Sequence, residues 1–285
     1  MGEDPFLAGE LAASVVAGMG GRSRGLNLSA DATAAPLLKH FAAYSAPESG
    51  RNAGPMHAGR REVMEVFLPV FARAVEAGAQ GVMSSYNEVD GVPTTSDRWL
   101  LTDQLRTAFG FDGYVSSDFG AISGLFKTHH VAANASEAVR MWLEAGGSVN
   151  GHDFGANYEK LIVGLVQNDT LDTAILDTAV ANVLRVKARL GLVPGVPGYP
   201  PLVDARLVQT NLGDNPEHVA IAQRVAEEAV VLLRNEPNYD GTTLPLDPSA
   251  LQRVVVIGPN ADEARTGDYS AGGWAGAAPN GGGPS

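Results

Sequence analysis

Cysteine is absent from this sequence of 285 residues. Disulfides, thiolate catalysis and cysteine-based metal sites are therefore excluded. Long hydrophobic runs are absent too: the sequence contains no stretch of about eighteen apolar residues, so no membrane helix is predicted. Basic residues are few, 20 against 32 acidic ones, and the net charge of −12 disfavours a nucleic-acid or anionic-membrane surface. This charge favours neutral or cationic ligands as partners.

A secretory signal is also missing, because the first residues contain no basic region followed by a long apolar core. They predict a turn and then a helix over 5–17, with Leu7, Leu11 and Val15 on one face. The other end of the chain, from Gly267 onward, is rich in glycine. Both ends are typical of a piece of a longer protein, and the sequence leaves the cellular location and the oligomeric state open.

Short apolar strands alternate with amphipathic helices in the first two thirds of the chain. The order strand then helix occurs four times, which predicts parallel α/β architecture. Four strands are half of an eight-stranded barrel, so we expect a partial (β/α) TIM-type barrel. The predicted strands lie near 36–41, 80–87, 114–115 and 147–150, and the predicted helices over 60–78, 97–109, from 134, over 158–167 and over 173–190.

The chain changes character after the last of these helices. Residues 1–192 are predicted to be the carboxyl-terminal part of a barrel domain, and 193–214, whose first half is rich in proline and glycine, an interdomain linker. Residues 215–285 are predicted to begin a second α/β sandwich domain that is truncated. Within it, an amphipathic helix over 218–235 precedes a continuous apolar strand over 253–258.

Polar residues follow the predicted strands at their carboxyl ends. In a barrel these ends converge on one face, where ligands bind. Two cations, an aromatic hydroxyl and a carboxylate suit a polyhydroxylated ligand, because the donors can hold ring hydroxyls and the carboxylate could attack an anomeric carbon. The candidates are Lys39 and His40, Arg51 in the following loop, Tyr86, Asp118, and the pair His152 and Asp153.

Each candidate also has a purely structural interpretation. Asp118 precedes a helix and could be its cap. Lys39 could lie on a solvated edge, and Tyr86 could be a core aromatic residue. Glu48 could bind a substrate hydroxyl, although pairing with Arg51 is favoured. His129 with His130, and His152 with Asp153, are interpreted as loop and turn residues, because adjacent side chains rarely share a metal ion.

Several segments, in this order, resemble glycoside hydrolase family three, the β-glucosidase type. The resemblance covers nearly the whole chain and weakens only in the linker and the last glycine-rich residues. The opening GEDPFL is similar to the turn before the family's Lys-His strand. The other segments are LKHFAAYS, SGRNAGP, MSSYNEVDGVP, RWLLTDQLR, GFDGYVSSDFGAI and VVVIGPNAD.

The resemblance implies a retaining mechanism on a barrel followed by an α/β sandwich. Asp118 matches the family's nucleophile, and Tyr86 matches a tyrosine near it. The residues that match those holding sugar hydroxyls are Lys39, His40 and Arg51. Phe119 stands where many members have tryptophan, which affects the aglycone side of the site. The acid/base glutamate of the family is expected beyond this chain, and the early barrel strands before it.

The resemblance therefore predicts an enzyme that removes non-reducing-end sugars, most simply glucose, from small-molecule or oligosaccharide β-glycosides, without a metal or organic cofactor. A β-xylosidase or bifunctional relative is the alternative enzyme. A hexosaminidase is disfavoured because the segment AAYSAPESG lacks the loop histidine of that branch. A phosphate-binding barrel enzyme is disfavoured because this sequence has no glycine-rich phosphate turn after the late strands. An inactive or carbohydrate-binding fragment is the alternative from another class, and its open sheet edges predict self-association.

Overall fold

The structure, a computed structural model, describes residues 2–20, 33–195, 215–237, 241 and 243–262. The chain divides into two compact units, Met1–Val203 and Asp204–Ser285. Within the described ranges, no helix combines the length and the apolar character needed to cross a bilayer. The predicted linker lies outside the described residues except for 193–195.

A parallel sheet forms the centre of the first unit, with strands β1 (Leu37–Phe41), β2 (Gly81–Ser84) and β5 (Tyr114–Ser116) in that spatial order. Ser116 also forms a single parallel bridge with Val149, so the fourth predicted strand is reduced to one pair. The predicted alternation of parallel strands and helices is confirmed. A short antiparallel hairpin lies between β2 and β5 in the chain, formed by β3 (Glu88–Val89) and β4 (Val92–Pro93).

Helices follow or flank these strands. The helix over 60–76 contains a π-helical turn, Val63–Phe67, and Pro69 lies in the first turn of the α-helical segment after it. The α-helical segment Leu68–Glu76 begins just before Pro69, so the missing N–H of proline is tolerated in its first turn. In chain order the helices are α1 (Pro5–Gly20), α2 (60–76), α3 (Trp99–Ala108, with π-type hydrogen bonding), α4 (Ala121–Lys127), α5 (Ala135–Ala145), α6 (Asn157–Gln167), α7 (Thr173–Arg189) and α8 (Pro216–Glu228).

The first helix packs through small side chains rather than large ones. Leu7, Leu11 and Val15 share a face as predicted, but they are 53, 44 and 50% exposed. The opposite face approaches α2 closely, and the Glu10 carboxylate lies 2.6 Å from Nε of Arg73. Small side chains allow this approach because they leave little bulk between the two helix backbones. The buried residues of α1 are Ala8, Gly9, Ala12, Ala13, Val16 and Gly20.

The core of the first unit lies between the sheet and the helices α3 and α5. Trp142 of α5 is fully buried, as are Val82 of β2 and Val115 of β5. The chain turns back directly after α5 at Gly147, where the Cβ of any larger residue would collide with the indole ring. This tight return places Val149 beside β5, because its backbone N–H donates to the carbonyl of Val115 at 2.9 Å.

The second unit contains a described helix but no strand among its described residues. α8 is shorter than the helix predicted over 218–235 and is capped by Asn215, whose side chain accepts from the N–H of Glu217. The strand predicted over 253–258 is not formed, and Ile257 is 89% exposed. A strand needs a neighbour for its backbone hydrogen bonds, and the described residues of this unit supply none.

Candidate active site

Asp118 lies directly after β5 at the carboxyl edge of the parallel sheet and is 8% exposed. The hydroxyl of Tyr86 donates to its Oδ1 at 2.9 Å, and the backbone N–H of Phe119 donates to the same oxygen at 2.7 Å. The Nε2 atom of His40 lies 3.1 Å from Oδ2. The structure thus brings together three of the predicted site residues, from the ends of three neighbouring strands.

Opposing effects act on the pKa of Asp118. Burial raises this pKa because the charged form loses water, but hydrogen bonds from His40, the Phe119 N–H and Tyr86 lower it, as does the charge of His40. The lowering effects together are larger, so the pKa lies below its ordinary value. The carboxylate is therefore held in its ionised form, which is the form that can act as a nucleophile.

The carboxylate of Asp118 is not the cap of the following helix. The cap position of α4 is Gly120, which has a left-handed φ of 82° and makes no side-chain capping hydrogen bond. The first turn of α4 is instead satisfied from a distant loop, where Oδ1 of Asp153 accepts from the N–H of Ser123 at 2.8 Å. Capping by Asp153 leaves Asp118 to face the polar groups at the sheet edge.

Lys39 and His40 line one cavity although they are adjacent on β1. On a regular strand, neighbouring side chains point to opposite faces. The register with β2 shifts between Leu38 and Phe41, because two residues of β1 stand opposite one residue of β2. This bulge redirects the side chains. Both residues line a cavity of about 620 Å³, together with Tyr44 and residues of α1 and α2.

The loop that carries Tyr86 is held by a buried polar network. The Ser85 hydroxyl lies 2.5 Å from Oδ1 of Asn87, and the Thr94 hydroxyl donates to the Ser85 carbonyl at 2.8 Å. The Tyr86 hydroxyl itself lies within reach of both Asp118 and, at 2.8 Å, the carbonyl of Phe119. Tyr86 is therefore a residue of the sheet edge rather than a core aromatic.

Arg51 is placed apart from this cluster. It is exposed in the turn that begins at Glu48, and no contact joins it to Asp118 in the described part of the chain. The predicted pairing of Glu48 with Arg51 is not formed, because the Glu48 carboxylate lies 3.5 Å from Nε2 of His57. The loop folds back on itself, with the N–H of Glu48 donating to the carbonyl of Pro55, and this brings His57 alongside.

The histidine pairs do not form a metal site. No group of three or more histidine, aspartate or glutamate side chains suited to a metal ion occurs among the described residues. His152 lies in a turn, as interpreted from the sequence, with its ring 6.1 Å from that of Phe119. Gly151 precedes it, and a Cβ there would collide with the carbonyl oxygen of Ser117. Only glycine allows this loop to approach the segment before Asp118.

Two contributors to the site were missed by sequence reasoning. Asp153 caps α4 across 30 residues of sequence, and His129 contacts the Tyr86 carbonyl across 43. Both had been interpreted as ordinary turn or loop residues. Their spacing carried no signal, because each acts on a segment that only the folded chain brings close.

Comparison with known proteins identifies the family and the fold class of the chain. The family description "Glycosyl hydrolase family 3 N terminal domain" matches residues 1–186, and the chain belongs to that family. The solved structures similar to this chain are β-glucosidases of the same family, and their N-terminal domain is a TIM-type barrel. The parallel strands β1, β2 and β5 are part of such a barrel. The resemblance inferred from the motifs and the predicted fold class are thereby confirmed.

Three proteins illustrate the similarity. The periplasmic β-glucosidase of Salmonella typhimurium is 36% identical over 276 residues, which are 96% of this chain and 34% of that protein. A β-xylosidase of Formosa agariphila is 31% identical over 270 residues, 93% of this chain and 36% of that protein. The solved structure of a Listeria innocua β-glucosidase in complex with glucose is 36% identical, with a TM-score of 0.64 over 68% of this chain and 26% of that one. The chain spans about a third of the length of the curated relatives it matches.

Proposed function

We propose that the whole protein is a retaining glycoside hydrolase that releases glucose from the non-reducing ends of β-glycosides, with Asp118 as its nucleophile. The observation that supports this most is the carboxylate of Asp118, held by His40 and Tyr86 at the carboxyl edge of a parallel sheet, contacts that lower its pKa. The named β-glucosidase relatives and the glucose bound to the Listeria innocua protein support a sugar substrate.

The chemistry follows from the position of the carboxylate. One oxygen of Asp118 attacks the anomeric carbon, the bond from that carbon to the aglycone oxygen breaks, and a glycosyl ester forms. Water then cleaves the ester and regenerates the carboxylate. The Tyr86 hydroxyl, which donates to Oδ1, stabilises the carboxylate as it leaves. Lys39, His40 and Arg51 are proposed to hold the sugar hydroxyls.

A retaining reaction also needs a second carboxyl group roughly 5 Å from the first. The resemblance to the family matches no glutamate of this chain to that role. We propose that the acid/base carboxyl group comes from outside this chain. The chain of 285 residues by itself is then expected to be inactive or impaired.

The test is covalent labelling of the whole protein with a 2-fluoro-β-glucoside that carries a dinitrophenolate leaving group. Such a leaving group departs without acid assistance, so labelling reports the nucleophile alone. Peptide mass spectrometry is expected to find the 2-fluoroglucosyl group on Asp118. A label on another residue, or hydrolysis without any label, would overturn the assignment.

A β-xylosidase is the second candidate, supported by the relative from Formosa agariphila. The two candidates differ by one hydroxymethyl group on the sugar, so the same active-site carboxylate serves both. Parallel assays with aryl β-glucosides and aryl β-xylosides separate them. A higher kcat/KM for the xyloside would replace glucose by xylose in the proposal and leave the role of Asp118 unchanged.

A further inference from the structure

His129 lies just after α4. Its backbone N–H donates to the carbonyl of Gly124 at 2.9 Å, which fixes the residue to the end of the helix. Its side chain is 13% exposed and reaches back to the loop after β2. Nε2 lies 2.9 Å from the carbonyl oxygen of Tyr86, and Nδ1 lies 3.4 Å from Oε2 of Glu88.

The chemistry of the two contacts defines what the ring does. A carbonyl oxygen only accepts, so Nε2 of His129 must carry a hydrogen and donate it to the Tyr86 carbonyl. The Glu88 carboxylate lies beside the other ring nitrogen, Nδ1, at 3.4 Å. His129 therefore attaches the carbonyl of Tyr86 and the side chain of Glu88, on either side of Asn87, to the end of α4.

The same loop is attached a second time through its side chain. The Tyr86 hydroxyl reaches the Asp118 carboxylate and the Phe119 carbonyl, both in the segment between β5 and α4. His129 contacts the backbone carbonyl of Tyr86, and acceptors in the β5–α4 segment contact the Tyr86 hydroxyl. The two attachments together fix both ends of the tyrosine relative to the carboxylate.

We propose that His129 is a positioning residue of this site, which aims the Tyr86 hydroxyl at Asp118 by donating to the Tyr86 carbonyl from the end of α4. The consequence for catalysis rests on the proposed function. Without the His129 contact, the Tyr86 carbonyl loses its fixed donor and the hydroxyl moves relative to the carboxylate. Small displacements of a catalytic group cost much of its contribution to the rate.

The experiment is a double-mutant cycle in the whole protein with His129→Leu and Tyr86→Phe. The measured quantity is the rate constant for formation of the 2-fluoroglucosyl ester at saturating reagent. Each single substitution is expected to lower it roughly ten- to hundredfold, and the double substitution no further than the larger single effect. His129→Gln, whose amide supplies an N–H toward the same carbonyl, is expected to restore part of the rate.

His130→Asn is the matched control. His130 is the exposed neighbour, with a left-handed φ of 54° that asparagine tolerates, and its replacement is expected to leave the rate unchanged. A purely structural role of His129 would lower the thermal midpoint and give effects that multiply with those of Tyr86→Phe. That outcome would overturn the proposal.

Crystal structures of the unsubstituted protein and of the His129→Leu variant separate this proposal from the proposed function. In the variant, the Tyr86 hydroxyl is expected to lose its contact with the Asp118 carboxylate. An unchanged contact would overturn the role of His129 even in an active enzyme. If the unsubstituted protein takes no label, the glycosidase proposal fails, and the position of Tyr86 in the two structures still decides what His129 does.

Discussion

Two apolar stretches of this chain have the pattern of a buried parallel strand, and only one of them becomes a strand. Tyr114–Ser116 forms β5 because β2 pairs with it on one side and Val149 on the other. The stretch over 253–258 is longer and more continuously apolar, but it remains exposed and unpaired among the described residues. The comparison shows that an apolar run becomes a strand only where neighbours accept its hydrogen bonds.

The largest expected difference between the two stretches is in activity. Asp118 follows β5, and Asp262 follows the apolar stretch of the second unit at a similar distance. Asp118→Asn is expected to abolish labelling and to lower hydrolysis by the whole protein about a thousandfold or more, because the amide cannot attack the anomeric carbon. Asp262→Asn, the control, is expected to change nothing. Equal losses in both variants would contradict the assignment.

The two stretches are also expected to differ in how much a valine-to-alanine substitution lowers the free energy of unfolding. Val115 in β5 is fully buried, and Val255 in the other stretch is 67% exposed. Val115→Ala is expected to lower the free energy of unfolding by about 2 kcal/mol, because two buried methyl groups are lost. Val255→Ala is expected to change it by less than about 0.5 kcal/mol. Urea denaturation followed by far-ultraviolet circular dichroism measures both. A loss of similar size at Val255 would show that the second stretch is buried.

The charge at the end of β5 predicts a dependence of stability on pH. The pKa of Asp118 is lower in the folded protein than in the unfolded chain, so its ionisation stabilises the fold above the unfolded pKa. This stability is lost as the pH falls through the folded pKa, below about pH 4. The thermal midpoint is expected to fall less steeply there in Asp118→Asn. Parallel acid profiles of the two proteins would argue that the carboxylate is not stabilised.

Exposed apolar surface predicts the smallest effect, on association. Phe6, Leu7 and Leu11 are 79, 53 and 44% exposed on α1, and Leu7 and Leu11 lie one turn apart on one face. The chain of 285 residues is expected to self-associate, because contiguous apolar surface favours burial against another copy. Sedimentation is expected to show smaller species for Phe6→Ser with Leu11→Ser, at an unchanged thermal midpoint. A compact monomer that melts cooperatively would contradict this prediction.

Sequence reasoning located the elements of the first unit well and their packing less well. The helix predicted from 134 begins there in the structure, where the Asn134 side chain accepts from the N–H of Glu137. The first helix was placed correctly, but its packed face consists of small residues that carry little hydrophobic signal. Capping is local in sequence, whereas the choice of packed face depends on a partner helix.

In the candidate site, the residues at strand ends were predictable from the sequence and the contacts of the loop residues were not. His40, Tyr86 and Asp118 stand at strand ends, and parallel strands bring their carboxyl ends to one edge, so their meeting was predictable from the pattern. Arg51 lies in a loop, and loops are not constrained by that rule; the structure leaves it outside the cluster. The pairing of Glu48 with His57 instead of Arg51 has the same origin, because a folded-back loop decides it.

By itself, the sequence determined the parallel α/β architecture, the family and the polar residues at the strand ends, because periodicity, capping and ordered motifs are written in neighbouring residues. Only the tertiary structure decided that Asp118 does not cap the following helix. It also decided that Asp153 caps α4 and that His129 holds the Tyr86 loop. Those contacts join segments distant in sequence, and hydrogen bonds with defined donors and acceptors form only when folding brings the segments together.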